Sequence, residues 1–203
     1  MTQPYDRQLL TDKNIDDYIL STYKGKVSTI SQNKLKNINP LLQNDYGLDN
    51  DCTLTSITTA ISYYRNNEVK IQEIYDNVEY IAKKYGYTGS FGTFSITVKS
   101  IYEKALTYFR CSRTKTKWSV LKPFTNITKI VKAINDGQPV ILNLLNDGRK
   151  YYHNHTVLVI GYMGVKINND KDLKYFLQIY DNWNNEVAYI DWQKLGYIFS
   201  VNY

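Results

Sequence analysis

Two cysteines, Cys52 and Cys111, and two histidines, His153 and His155, stand among 203 residues. A cysteine thiolate is a nucleophile and a nearby imidazole can serve as its base, so one of each suffices for covalent acyl transfer. Any such chemistry in this chain must draw on these four residues. Cys52 opens the run CTLTSITTAISYYR and follows Asn50 and Asp51, either of which can cap a helix by accepting bonds from its free N–H groups. A thiol in the first helical turn feels the positive end of the helix dipole, which favours thiolate. The backbone N–H of Cys52 can also bind a developing oxyanion. Cys111, between Arg110 and Ser112, has no base nearby in sequence and reads as a structural residue. His153 and His155 lie two apart, so on an extended chain both side chains face the same way and both are candidates for the base. With a cysteine they make a conceivable three-ligand metal site, but the spacing matches no zinc pattern, and neither a metal nor a cofactor is expected.

These residues need elements to hold them. Leu54, Ile57, Ile61 and Tyr64 recur at helical spacing and predict a helix with one buried stripe, Cys52 in its first turn. The preceding LLQNDYGLDN is a loop. Further helices are expected from about Ile71 to Tyr85, from Thr93 to about Phe109, and over Asn126 to Asn135. The period then changes. Strands are expected over Pro139 to Leu145, Thr156 to Tyr162, Leu173 to Tyr180, Val187 to Ile190 and Tyr197 to Tyr203. Helices first and strands second predict an α+β domain with an antiparallel sheet. The strands 156–162 and 173–180 flank GVKINNDKD; an antiparallel hairpin centred on residue 168 sets His155 opposite Asp181. Such an imidazole–carboxylate pair fixes the tautomer and stabilises imidazolium. Residues 1–40, polar and closed by Pro40, read as an N-terminal arm with a short helix around Ile15 to Leu20, which leaves 41–203 as the domain.

Composition narrows the alternatives. At 43% hydrophobic the chain can bury a sizeable core. No uncharged apolar run approaches the roughly 18 residues that a membrane span needs. The net charge is +6, but the basic residues are scattered, so no nucleic-acid partner is expected. The opening MTQPYDRQLLTDKNIDDYIL lacks the pattern of a secretory leader, which gives a cytoplasmic location by default, or a secreted one if a leader has been removed. Nothing in the sequence points to an oligomeric state.

The ordered segments resemble the papain-like cysteine peptidases, especially their bacterial C39-like branch. The matching stretches are DNDCTLTSITTAISYY, GQPVILNLL, HTVLVIGY and YDNW, spanning about residues 41–195. The resemblance implies a papain-like α+β fold with the nucleophile helix packed on a C-terminal antiparallel β-sheet. It implies Cys52 as nucleophile, His155 in preference to His153 as base and acid, Asp181 as the orienting residue, and peptide or protein substrates. It also implies an oxyanion-hole Gln a few residues before the cysteine. Here the position six before is Tyr46, and Thr53 follows Cys52 where the family has Gly. Gln43 serves if the loop is longer by three residues; Asn44 and Asn50 are other amide donors. These departures keep two further expectations open: a non-catalytic peptide- or protein-binding module on the same fold, and an acyltransferase in which an amine replaces water.

Overall fold

Most of the helices precede most of the strands along the chain in a computed structural model that describes residues 8–46, 50–113, 115–120, 127–146, 151–168, 170, 172–195 and 197–202. The helices are α1 (Ile15–Tyr23), α2 (Cys52–Tyr64), α3 (Ile71–Lys83), α4 (Val98–Tyr108) and α5 (Ile127–Asn135), with a 3-10 turn over Gln43–Tyr46. The strands are β1 (Val27–Lys34), β2 (Trp118–Val120), β3 (Val140–Asn146), β4 (His153–Ile167), β5 (Lys174–Tyr180), β6 (Ala188–Asp191) and β7 (Tyr197–Asn202). Asn126, Asn169 and Tyr203, which the sequence reading placed in a helix, a turn and a strand, lie outside the described residues.

The sheet runs β2-β7-β3-β4-β5-β6, with β1 paired to β4. All the pairings are antiparallel. β4 is the long member at 15 residues. One of its edges is shared: β3 pairs with its first half, from Asn146↔His153 to Val140↔Val159, and β1 with its second, from Lys34↔Gly161 to Val27↔Ile167. Gly161 sits where β1 comes close, and a Cβ there would approach the Asn33 carbonyl oxygen to 2.7 Å. The glycine of HTVLVIGY is therefore a packing requirement.

β1 and β2 were not expected, and the first of them changes how the N-terminal segment is read. The described part of the supposed arm is built into the domain. β1 is an edge strand with mostly exposed side chains, so it carries little of the apolar alternation by which strands are recognised. α1 follows the expected position. Its Ile15, Tyr18 and Ile19 pack with Val165, Ile167, Phe176 and Tyr189 as a second core on the sheet, each large apolar side chain contributing roughly 2 kcal/mol on burial. Asp191 Oδ2 accepts from the hydroxyls of Tyr18 (2.9 Å) and Tyr23 (2.7 Å), which fastens α1 in place.

α2 crosses the main core against β4, α3 and α4. The expected single stripe understates its burial: Thr53 to Ser62 are all buried. Most of its small hydroxyl residues find hydrogen-bond partners there. Thr55 Oγ1 donates to the Asp51 carbonyl at 3.1 Å, Ser62 Oγ donates to Asn67 Oδ1 at 3.0 Å, and Thr59 Oγ1 accepts from the Leu41 N–H at 3.2 Å. A helix sequestered on this many faces holds its first residue, Cys52, in a fixed place against the sheet.

Candidate active site

Cys52 is the first residue of α2 and is partly exposed. The residue before it does not cap the helix with its side chain, contrary to expectation. Asp51 is fully buried and its carboxylate turns inward, where Oδ2 accepts the Tyr75 hydroxyl at 2.6 Å. Among the described residues, Oδ1 has no hydrogen-bond partner. Burial pushes this carboxyl up to about 6, against the lowering effect of Tyr75 and Thr55.

The two thiols differ in electrostatics. Burial raises the Cys52 thiol, but a hydrogen bond to the His155 ring, the charge of that ring and the N–H and hydroxyl of Thr156 together outweigh it, and the thiol is held below its ordinary value. Cys111 is buried in the core, and its thiol is pushed up by that burial with only partial relief from Arg65. Both cysteines are free.

His155 is 4% exposed, near the start of β4. Its Nε2 lies 2.6 Å from the main-chain carbonyl oxygen of Asp181. A carbonyl only accepts, so Nε2 carries the hydrogen, and Nδ1 is the nitrogen left to exchange a proton with Cys52. The expected imidazole–carboxylate pair is not formed. The Asp181 carboxylate is buried and accepts from the Trp183 N–H (3.0 Å), the Asn184 N–H (2.9 Å), Asn184 Nδ2 (2.9 Å) and the Tyr152 hydroxyl (3.0 Å). These bonds make a local turn after β5 that aims the carboxylate at its own chain.

The hairpin register also differs from expectation. β4 and β5 pair from Val165↔Lys174 to Gly161↔Gln178, slip at Ile160, and continue at Val159↔Ile179 and Leu158↔Tyr180. Extending that run sets Asp181 opposite Val157, two residues beyond His155. His155 reaches residue 181 through its side chain, not by facing it across the ladder. Tyr152 and Trp183 gather round the imidazole, with ring centroids 5.7 Å and 3.9 Å from it. His153, the rival histidine, is exposed at the edge of the same cavity.

Of the amide candidates, Gln43 is the better placed. It lies in the 3-10 turn and is buried. Its Oε1 accepts Trp183 Nε1–H at 3.0 Å, and its N–H donates to the Asn182 carbonyl at 2.7 Å. The Trp183 indole thus fixes which way the Gln43 amide faces. Asn50 is corrected as an oxyanion donor, because its Nδ2 donates to the carbonyls of Gly89 (3.0 Å) and Ser90 (3.2 Å). The side chain of Asn44 lies outside the described residues. Tyr46 stacks on Tyr75 at 4.3 Å. The Thr53 hydroxyl is 2.8 Å from Thr156 Oγ1, which in turn donates to Asn143 Oδ1 at 2.7 Å, so the residue in place of Gly is tied into a buried polar chain.

Cys52, His155 and Gln43 line an open cavity of about 720 Å3. Its lining also includes Phe91, Phe94 and Ile96, which are 87%, 65% and 73% exposed. Among the described residues no group of three or more His, Cys, Asp or Glu side chains converges as a metal site, and no helix is long and apolar enough to cross a membrane. Sequence reasoning did not foresee the bond of Thr156 to the thiol or the polar role of Asn182. Both flank expected site residues in the motifs HTVLVIGY and YDNW, and that adjacency was the available signal.

The model of the Peptidase_C39 like family matches residues 25–197, a span that takes in β1. Among solved structures, a candidate C39-like peptidase from Bacillus anthracis aligns with a TM-score of 0.50 at 16% identity, covering 84% of this chain and 96% of that one. That likeness bears on the fold, which is α+β of papain-like type. No curated protein matches the sequence.

Proposed function

This chain belongs to the Peptidase_C39 like family, and from that membership we propose that it cleaves peptide bonds, or related amides, through an acyl-enzyme on Cys52. The observation that carries the reading is the Cys52–His155 contact: a thiol at a helix N-terminus held below its ordinary value by the imidazole beside it.

His155 Nδ1 takes the thiol proton, and the thiolate attacks the substrate carbonyl carbon. The oxyanion that forms accepts bonds from the Cys52 N–H, one of the N–H groups that a helix start leaves without an intrahelical partner, and from the Gln43 amide. As the C–N bond breaks, His155 gives its proton to the leaving amine, and a thioester remains on Cys52. Water then attacks the thioester with His155 again as base, releasing the acid and restoring the thiol. Asp181 keeps the ring in the required tautomer through its carbonyl. The exposed Phe91, Phe94 and Ile96 favour peptides with apolar side chains beside the cleaved bond.

The test is a peptide mixture digested by the wild-type protein and by Cys52→Ala, with acid-quenched wild type examined by intact mass. New termini that depend on Cys52, with an acyl mass increment on the Cys52 peptide, support the reading. Turnover that survives Cys52→Ala overturns it.

A further inference from the structure

We propose that Asn182 is the positioning residue that sets the nucleophile against its base, an inference that rests on Cys52 and His155 having those roles. Asn182 is 1% exposed, and its backbone is left-handed, with φ 66°. Asparagine adopts that conformation more readily than most residues, but it still costs energy, and the surrounding bonds must offset the cost.

Those bonds all run to the site. Asn182 Nδ2 lies 3.0 Å from the Cys52 carbonyl oxygen, 2.9 Å from Ser56 Oγ and 2.7 Å from the Thr156 carbonyl oxygen. One amide group thus ties the first turn of α2 to β4 at the residue after His155. Its own carbonyl accepts the Gln43 N–H at 2.7 Å. The neighbours on either side hold the base: the Asp181 carbonyl fixes Nε2, and Trp183 stacks on the ring. Displacing Asn182 therefore loosens the anchor of the nucleophile and the anchor of the base together. Each buried acceptor it serves would lose a bond in a medium where such losses are costly. A shift of a few tenths of an ångström between Sγ and Nδ1 then weakens the contact that favours thiolate.

Asn182→Gly removes the amide while keeping a residue at ease with positive φ, and Asn182→Ser keeps a single donor. The readout is the pH midpoint of Cys52 alkylation by iodoacetamide, followed by peptide mass, beside the thermal midpoint. In Asn182→Gly the alkylation midpoint is expected to rise by about one unit, which leaves about tenfold less thiolate near neutral pH, with a smaller rise in Asn182→Ser. If Asn182→Gly does not fold, the partial rise in Asn182→Ser carries the test. A lowered thermal midpoint with the alkylation midpoint unchanged overturns the proposal and leaves Asn182 a purely structural tie. An ordinary alkylation midpoint in the wild type overturns both this proposal and the nucleophile reading. Absence of peptide turnover, together with the expected rise, overturns the peptidase reading and supports the positioning role.

Discussion

His155 Nε2 is held at 2.6 Å by the main-chain carbonyl of Asp181, while the carboxylate of the same residue bonds to Tyr152, Trp183 and Asn184. Asp181 therefore holds the His155 ring through an atom that every residue possesses. Where a carboxylate orients the histidine, exchanging it for an amide costs about 10,000-fold in kcat. Asp181→Asn keeps the carbonyl and one acceptor oxygen for the turn, so kcat on a peptide substrate is expected to fall by about tenfold or less. A loss near the larger figure would mean that the carboxylate itself acts on His155 during the reaction.

Gln43 and Asn50 make an internal comparison, because both line the cavity but only Gln43 has its amide oxygen tied back by Trp183. Gln43→Ala is expected to lower kcat by about 100- to 1,000-fold with little change in KM, the usual effect of losing one oxyanion donor. Asn50→Ala is expected to leave kcat near wild type. Steady-state kinetics on one peptide substrate decides between them, and equal losses would contradict the assignment.

Asp51 gives a pH dependence of stability with a definite sign. Its carboxyl is raised in the folded state to about 6 by burial, above the ordinary value near 3.8. Between those values the folded protein keeps a proton that the unfolded chain has released. Stability therefore falls as pH rises through this window and levels off above it, by up to about 3 kcal/mol. Asp51→Asn carries no charge to bury. Its thermal midpoint is expected to exceed that of wild type at pH 8, with the advantage gone below pH 4. Parallel pH profiles for the two proteins would contradict the burial of an ionised Asp51.

Much of this site was legible because its signals are local. A helix starting at Cys52, a strand after GQP, one over HTVLVIGY and one ending at the Tyr of YDNW follow from period and order, while the preference for His155 over His153 rests on the family resemblance. What was not legible depends on contacts remote in sequence. β1 is recognised by its bonds to β4, since its side chains are mostly exposed. α2 reads as amphipathic because its Ser and Thr residues count as polar, yet Thr53, Ser56 and Thr59 bond to Thr156, Asn182 and Leu41, remote in sequence, and the helix is buried. Pairing arithmetic could not anticipate the slip at Ile160, nor the local turn that rotates the Asp181 carboxylate away from the imidazole.

The most direct measurement is the pH dependence of iodoacetamide labelling at Cys52 beside Cys111, in the wild type and in His155→Gln. A thiolate held by His155 labels with a midpoint below the ordinary value of about 8.5, ahead of Cys111, and the midpoint rises in His155→Gln. A midpoint at the ordinary value, indifferent to His155→Gln, would contradict Cys52 and His155 as nucleophile and base.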